Sequence, residues 1–434
     1  MLNRRGFLEK AGAWSAAGLA TFRPDGLERL YEATAAVAQT NPTDVARDET
    51  YWREVQQAFT LDRSLINLNN GGCCPSPRIV HESFKRYLDI SNQAPVYHMW
   101  QILEPNLDGV RRQLAADAGL ADMETLAITR NASEALQIAQ LGLDMKPGDE
   151  VLTTNQDYGR MLQTWDQRVE REGITVKKIT FPVPANSADL LKRFTDAVTP
   201  KTKVIHFCHI TNLTGQIFPV KEICAMARGR GITTIVDGAH AYAQFPFKLD
   251  DFGCDYYGTS LHKWLLAPIG TGFLYVRRDR IKSTWALQPA PASMADNIRK
   301  FEEIGTHPAA NHNAIAEALA FHQAIGVERK AARLRHLNER WATKVEKLPG
   351  VKILNSREPN QAWGLFNVSL ERVESPKAYE FLWTKYRIIT AAIKRDDYQG
   401  LRVTPNVYTT LDEVDTFAGA IADLLKNPPT TAAD

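Results

Sequence analysis

Apolar segments with the length of β-strands alternate with helical segments along the middle of the chain, from about residue 76 to residue 310. "DEVLTTN" follows the helical "SEALQIAQLGL", and "TTIVDGAH" follows the helical "VKEICAMARGRG". Strands that alternate with helices of roughly 10–15 residues form βαβ units, in which successive strands run parallel. The pattern therefore predicts an α/β fold, with a large domain over residues 76–310 built on a mostly parallel sheet.

The chain on either side of this region has a different pattern. Residues 46–75 contain a helical stretch followed by "SLINLNNGG", and we expect this N-terminal segment to join a smaller domain. Residues 311–434 begin with charged helices and continue with short strands such as "WGLFNVSL". They predict a smaller α+β C-terminal domain.

The first 45 residues are predicted to be an export signal and a linker. Asn3 to Lys10, "NRRGFLEK", resembles a twin-arginine export signal, and a short apolar run follows it up to Ala20. That run is too short to span a bilayer and fits the apolar part of a signal peptide. An ordinary amphipathic first helix is the alternative. The export interpretation predicts a periplasmic or secreted protein, with a small-x-small processing site at Ala36–Ala38.

Charge and cysteine content exclude several classes of function. The 52 basic and 50 acidic residues give a net charge of +2, which does not favour nucleic acid or an anionic membrane as a partner. The five cysteines contain no C-x-x-C pair and are odd in number. They therefore predict neither a disulfide framework nor a zinc site, and we expect no metal.

Small and polar residues stand at one predicted helix start. Ala132 and Ser133 open the helix that follows the strand-like residues up to Ile128. A helix N-terminus offers unpaired N–H groups and the positive end of a dipole, which suit a phosphate. For this motif taken alone, a serine that simply caps the helix is the more frequent explanation.

Further candidates follow the predicted strands. Tyr158 lies in a loop and could stack on a flat ring, and Asn212 could donate to a ring oxygen. Asp237 ends a β-branched run, where a buried carboxylate needs a partner such as a protonated pyridine nitrogen. His240 could hydrogen-bond near the same ring. An anchored loop tyrosine, a turn asparagine and a core histidine are the alternatives.

"GTSLHKW" places Lys263 beside Ser260 and His262 in an apolar setting, and a Gly-Thr-Gly turn with Thr271 follows. Burial disfavours the charged form of an amine, which leaves a nucleophilic lysine. Each motif is weak alone, but their order along the chain is specific.

Taken together, these motifs resemble the class V aminotransferase family of pyridoxal-phosphate enzymes, which have the fold type I architecture. The resemblance covers about residues 65–420, and "DGAHA" and "SLHKW…GTG" are its most specific parts. "NNGGCCPSP" and "DYGRMLQTW" are similar to the isopenicillin N epimerase-like branch.

The resemblance implies a role for each candidate. Lys263 would form a Schiff base with pyridoxal 5'-phosphate, and Asp237 would keep the pyridine nitrogen protonated. Arg402 would bind the substrate α-carboxylate as a planar fork, and Asn70 would shape the substrate side. The phosphate would be held by Ala132, Ser133, Ser260 and His262. Thr271 would reach the phosphate of a partner subunit, because family members are homodimers.

Three functions remain open at this point. The first is an aminotransferase-like or epimerase-like enzyme that acts at the α-carbon of an amino acid or an amino-acid-derived substrate. The second is a C–S lyase of the ergothioneine-pathway type, and the third is a binding protein without turnover. Persulfide chemistry lacks its nucleophile, because "TAAIKRDDYQG" before Arg402 contains no cysteine.

Overall fold

The computed structural model describes residues 25–358 and 360–428, so the twin-arginine motif lies outside the described residues. The described α-helices are α1 (Asp25–Ala36), α2 (Pro42–Val45), α3 (Glu49–Gln57), α4 (Arg78–Gln93), α5 (Pro95–Tyr97), α6 (Glu104–Asp117), α7 (Ala132–Gly142), α8 (Gly159–Glu172), α9 (Ser187–Ala197), α10 (Val220–Gly229), α11 (Ala310–Asn313), α12 (Ile315–Ile325), α13 (Val327–Val345), α14 (Ser375–Tyr386) and α15 (Leu411–Lys426). The described strands are β1 (Ile66–Asn67), β2 (Leu126–Thr129), β3 (Glu150–Thr154), β4 (Thr175–Ile179), β5 (Thr202–Cys208), β6 (Thr233–Asp237), β7 (Tyr256–Ser260), β8 (Gly272–Val276), β9 (Val351–Ile353), β10 (Phe366–Leu370), β11 (Ile388–Ile389), β12 (Ala391–Lys394) and β13 (Gln399–Val403).

A seven-stranded sheet forms the centre of the large domain, in the order β2-β8-β7-β6-β5-β3-β4. The paired strands run parallel except β8, which is antiparallel to both of its neighbours. All residues of β6, β7 and β8 are buried, as expected for a sheet that is covered by helices on both faces. The predicted α/β fold with a mostly parallel sheet is confirmed.

The carboxyl ends of the parallel strands meet at one edge of this sheet. Asp237 ends β6 opposite Gly258, and Ser260 ends β7 opposite Gly272. Cys208 ends β5 directly beside Asp237. Ligands bind at this edge in open α/β sheets, so the edge is where the predicted site residues come together.

The smaller domain has a four-stranded antiparallel sheet in the order β12-β13-β10-β9, with Arg402 on β13. The N-terminal segment joins this domain, because β1 pairs in parallel with β11 and Asn69 bridges to Thr404. The segment thereby brings Gly71 close to His240, since a Cβ on Gly71 would lie 3.3 Å from the His240 ring.

Helices α1 to α3 pack against the body of the protein, in a region where the sequence suggests a linker up to residue 45. Leu30, Val45 and Trp52 are buried together in one apolar cluster. The Arg333 guanidinium donates to the Ala46 carbonyl (2.9 Å) and lies 5.2 Å from the centre of the Trp52 ring. Residues 25–45 are therefore part of the folded unit. None of the helices in the described ranges is long and apolar enough to cross a membrane.

Candidate active site

Lys263 lies in the turn after β7, at the carboxyl edge of the sheet, and is half-buried. Its Nζ atom is 3.1 Å from Nε2 of His240. Burial lowers the pKa of Lys263 to about 8, against the opposing effect of the Asp237 carboxylate. About a tenth of this amine is therefore uncharged at pH 7, far more than for an ordinary lysine, and the uncharged form is the one that a nucleophile or a base requires.

Asp237 is buried at the end of β6, with 4% of its surface exposed. Its Oδ1 accepts from the Ala239 N–H (2.9 Å), while the Cys208 thiol lies 3.9 Å from Oδ2. Burial raises the pKa of Asp237 to about 6. No cation of the described chain forms an ion pair with this carboxylate within 4.0 Å, and a protonated ring nitrogen is a suitable partner for it.

The start of α7 and the end of β7 form a small polar cup. The Ala132 N–H donates to Ser260 Oγ (3.0 Å), and the Asn131 side chain caps the helix at the Glu134 N–H (2.9 Å). A Cβ on Gly272 would lie 2.7 Å from the Asn131 Cα, so only glycine permits this close approach. Ser133 lies in the same first turn, whose N–H groups have no preceding carbonyl in the helix.

His262 borders Lys263 in the same turn and is half-buried. Burial lowers the pKa of its ring to about 4, so the imidazole is neutral. Its Nδ1 has no hydrogen-bond partner among the described residues. A neutral histidine can donate one hydrogen bond to a phosphate oxygen.

Arg402 projects from β13 and is 8% exposed. Its Nη1 donates to the Asn212 carbonyl (2.9 Å), and its Nη2 donates to Asn69 Oδ1 (2.7 Å). Burial lowers the pKa of Arg402 to about 10, which leaves it charged at neutral pH. Two contacts fix the plane of the guanidinium, a geometry suited to a carboxylate.

The structure places the Asn70 side chain between the N-terminal segment and the smaller domain. Its amide donates to the Thr404 carbonyl (2.8 Å) and its Oδ1 accepts from the Tyr408 hydroxyl (2.5 Å). The side chain is fully buried and fastens the N-terminal segment to the smaller domain, and its role on the substrate side stays a prediction. Asn69, which the sequence reasoning missed, is the residue in contact with Arg402.

The structure places the Thr271 side chain against the turn that precedes it. This side chain has no exposed surface, and its hydroxyl donates to the Pro268 carbonyl (2.6 Å). It stabilises the turn after Lys263 within its own chain, and the contact with the phosphate of a partner subunit stays a prediction.

Tyr158 begins α8 and is 37% exposed, close enough to Arg402 to act on its charge. Asp157, a second residue that the sequence reasoning missed, holds the loop in place. Its carboxylate accepts from the Thr153 hydroxyl (2.7 Å), the Thr154 N–H (2.8 Å) and the Cys208 N–H (2.7 Å). These contacts hold the loop without the Tyr158 side chain, whose ring is left accessible at the edge of the site.

The polar atoms left over at this edge can be used to test which ligand fits. Four buried atoms have no partner among the described residues: His240 Nδ1, His262 Nδ1, Asn212 Oδ1 and Arg402 Nε. The His262 ring and the start of α7 can donate to a phosphate, and Asn212 Oδ1 can accept from a ligand hydroxyl. The Asp237 carboxylate can pair with a ring nitrogen, and the Arg402 guanidinium can bind a substrate acid. Pyridoxal 5'-phosphate bound at Lys263 fits this set. No cluster of metal-ligating side chains occurs in the described part of the chain.

Fold and site together define a pyridoxal-phosphate enzyme of fold type I. The sequence model of the family described as aminotransferase class-V matches residues 66–416. The chain belongs to the class V aminotransferase family, and its cofactor is pyridoxal 5'-phosphate.

Two relatives show how the family varies. The chain is 29% identical to isopenicillin N epimerase of Streptomyces clavuligerus over 388 residues, which cover 85% of this chain and 97% of that one. It is 23% identical to hercynylcysteine sulfoxide lyase of Schizosaccharomyces pombe, over 79% of this chain and 90% of that one.

Solved structures of the lyase C-DES have the same fold. The complex of this cystine C–S lyase with cysteine persulfide superposes with a TM-score of 0.76 at 23% identity, over 83% of this chain and 98% of C-DES. A C-DES variant with glycine covalently linked to its PLP cofactor has a TM-score of 0.75 at 23% identity, over 84% and 100% of the two chains. The cofactor and fold class predicted from the sequence are confirmed.

Proposed function

We propose that this enzyme removes a proton from, and returns one to, the α-carbon of an amino acid or amino-acid-derived substrate, as an epimerase or aminotransferase does. The observation that carries the proposal is the placement of Lys263 and Arg402 at one site, where Lys263 Nζ lies 3.1 Å from His240 Nε2 and Arg402 donates to the carbonyl of Asn212, which follows β5. Arg402 would bind the α-carboxylate, and Lys263 would then face the α-carbon.

When bound, pyridoxal 5'-phosphate withdraws electrons from the substrate α-carbon and makes its proton acidic. The chain supplies the rest. Asp237 holds a positive charge at the ring nitrogen, and Lys263 Nζ takes the proton. His240 Nε2 lies within hydrogen-bond distance of that amine and fixes its direction. Ser260, His262 and the start of α7 hold the phosphate at the opposite end.

A C–S lyase is the second candidate, and the similarity to hercynylcysteine sulfoxide lyase favours it. Removal of the α-proton by Lys263 also begins an elimination, so the same residues serve both reactions. The isopenicillin N epimerase similarity covers more of the chain at higher identity, and we therefore place the epimerase-like reaction first.

The enzyme would act as a homodimer. Apolar side chains are exposed on α5 and on the π-helix His98–Leu103, with Val96, Tyr97 and Trp100 among them. Ile269, in the loop after Lys263, is 70% exposed. Such a concentration of exposed apolar surface indicates a protein interface, and a second copy would cover it next to the site. Export by the twin-arginine route to the periplasm remains part of the proposal and rests on the motif alone.

The experiment follows the α-proton. The purified enzyme with cofactor is incubated in D2O with single L-amino acids, with and without a keto acid, and the α-proton signal is measured by NMR. Exchange with appearance of the D-isomer indicates epimerisation, a new keto acid with transfer to the acceptor indicates transamination, and pyruvate with ammonia indicates the lyase. Lys263→Ala is the control. Absence of exchange with every amino acid and short amino-acid-derived peptide would contradict the proposal.

A further inference from the structure

The peptide groups on both sides of Lys263 are held by distant parts of the chain. The His262 carbonyl accepts from the Cys74 N–H (2.9 Å), and the Trp264 carbonyl accepts from Nζ of Lys330. Two residues further on, Leu266 has a φ of 68°, a conformation that a branched, bulky residue rarely adopts. Such a conformation costs roughly 1–3 kcal/mol and persists only where the surroundings enforce it.

Lys330 is an unusual group to find in this position. It lies on α13 with no exposed surface, and within the described residues no carboxylate forms an ion pair with it. Its second contact is Nδ1 of His322 on α12, at 3.4 Å. The other titratable groups that act on it are Asp117 at the end of α6 and Cys74 in the N-terminal segment.

Burial lowers the pKa of Lys330 to about 7, and Asp117 and Cys74 oppose this only in part. Burying an amine without a carboxylate costs several kcal/mol, whereas an apolar side chain of similar length would cost little there. The buried Lys330 amine donates a hydrogen bond to the Trp264 carbonyl, which directly follows Lys263 and lies 66 positions before Lys330 in the chain.

We propose that Lys330 is a positioning residue for Lys263. Its hydrogen bond to the Trp264 carbonyl keeps the turn in its strained form, so that Nζ of Lys263 stays beside His240 and in reach of the cofactor. Loss of this donor lets Leu266 relax to an ordinary conformation, and the turn carries Lys263 out of place. The inference rests on the role of Lys263 in the proposed function.

The test compares two buried lysines. Lys330→Met removes the donor and keeps the volume, while Lys300→Met is the matched control. Lys300 is also buried and donates to two carbonyls, those of Ile281 and Ala295, which lie in the chain after β8. For each apoenzyme, the rate of pyridoxal 5'-phosphate capture is followed by absorbance over a range of pH, together with the melting temperature.

We expect Lys330→Met to slow capture about tenfold or more and to shift the pH at its midpoint, since misplacement of a reacting group by about 1 Å has effects of this size. Lys300→Met should lose similar thermal stability and keep the wild-type rate and midpoint. Lys330→Arg retains a donor and should restore part of the rate. Equal effects of the two methionine variants on capture, or none, would overturn the proposal.

Two further measurements keep the result interpretable. Lys330→Gln replaces the methionine variant if that one does not fold, and it should slow capture less because its amide still donates. Borohydride reduction of the loaded wild-type enzyme followed by peptide mapping must label Lys263. A label elsewhere refutes the proposed function itself, and the proposal for Lys330 falls with it; a label on Lys263 with unchanged capture in the variants refutes only the role of Lys330.

Discussion

Nζ of Lys263 and Nε2 of His240 lie 3.1 Å apart at the centre of the site. Burial lowers the pKa of both groups, to about 8 for Lys263 and well below the ordinary value for His240. Below pH about 8 the lysine is therefore the donor and the neutral imidazole the acceptor. This assigns the ring proton to Nδ1, which has no partner among the described residues and is free to donate within the site.

Replacing His240 is expected to change the pH at which Lys263 reacts. A neutral acceptor stabilises the ammonium form, so His240→Leu should lower the pKa of Lys263 further, by about one unit, and move the midpoint of cofactor capture to lower pH. The capture rate measured against pH gives the midpoint directly. His240→Gln keeps an acceptor and should remain close to the wild type. An unchanged midpoint in the leucine variant would show that the hydrogen bond does not form in solution.

Asp237 is expected to stabilise the loaded enzyme and to destabilise the empty one. Burial raises its pKa from 3.8 to about 6, so the folded apoenzyme binds more protons than the unfolded chain between these values. Burial of the charged carboxylate therefore lowers the free energy of unfolding of the apoenzyme. This destabilisation is absent below pH 3.8 and fully present above pH about 6. We expect Asp237→Asn to raise the stability of the apoenzyme at neutral pH by about 2 kcal/mol and to weaken cofactor binding at least tenfold.

The comparison for Asp237→Asn is Asp157→Asn, which removes a second buried carboxylate beside the same strand ends. The Asp157 carboxylate accepts from two threonine hydroxyls and two N–H groups. In an asparagine at this position, the side-chain NH2 group would face donors and could not accept from them. This variant should lose about 3 kcal/mol. Urea unfolding of the apoproteins at several pH values measures both changes. A destabilising effect of equal size in both variants would show that Asp237 carries no desolvation cost.

Much of the site could be predicted because its residues stand in short motifs at strand ends, and the position of a strand end can be read from the local sequence. Asp237 and Ser260 end β6 and β7, and Lys263 follows β7 in the next turn. Apolar runs in the sequence identify these strands, and parallel strands bring their carboxyl ends to one edge of the sheet. Asn69 and Asn70 could not be told apart in this way. Neighbouring side chains of an extended segment point in opposite directions, and their direction here is set by the bridge from Asn69 to Thr404, far along the chain.

The remaining differences have the same physical origin. Thr271 turns inward because the carbonyl of Pro268, in the turn before it, accepts its hydroxyl, and a Gly-Thr-Gly motif does not specify that turn. Lys330 is part of a charged helical sequence and becomes buried only when α13 packs behind Lys263. Long-range packing decides both, and local sequence patterns do not encode it.

Arg402 is expected to determine the need for a substrate carboxylate. Arg402→Lys keeps the charge and loses the planar fork, so kcat/KM for an α-amino acid should fall about 100-fold, while the corresponding amine without a carboxylate should be unaffected. Asn69→Ala removes only the contact that orients the guanidinium and should cost about tenfold. Steady-state kinetics on both substrates provide the measurement. Equal losses on the acid and the amine would assign Arg402 to the fold and not to the substrate.

Helix α1 is expected to stabilise the folded enzyme. An export signal could therefore be removed without loss of stability only before this helix. Leu30 is fully buried, and the Thr34 hydroxyl donates to the Ala324 carbonyl on α12 (3.0 Å). Processing after Ala38 would remove both contacts. A chain that begins at residue 39 should therefore be less stable than one that begins at residue 25 by at least about 3 kcal/mol, the cost of one buried leucine and its neighbours.

Two point variants in the longer chain separate burial from helix length. Leu30→Ala should lose about 2–4 kcal/mol, whereas Glu32→Ala, on the exposed side of the same helix, should change little. If the proposed export takes place, mass spectrometry of the mature protein locates its N-terminus. We expect it before residue 25, because removal of a packed helix would expose apolar surface in the cluster around Trp52. An N-terminus at residue 39 on a fully stable enzyme would mean that α1 contributes nothing to the fold.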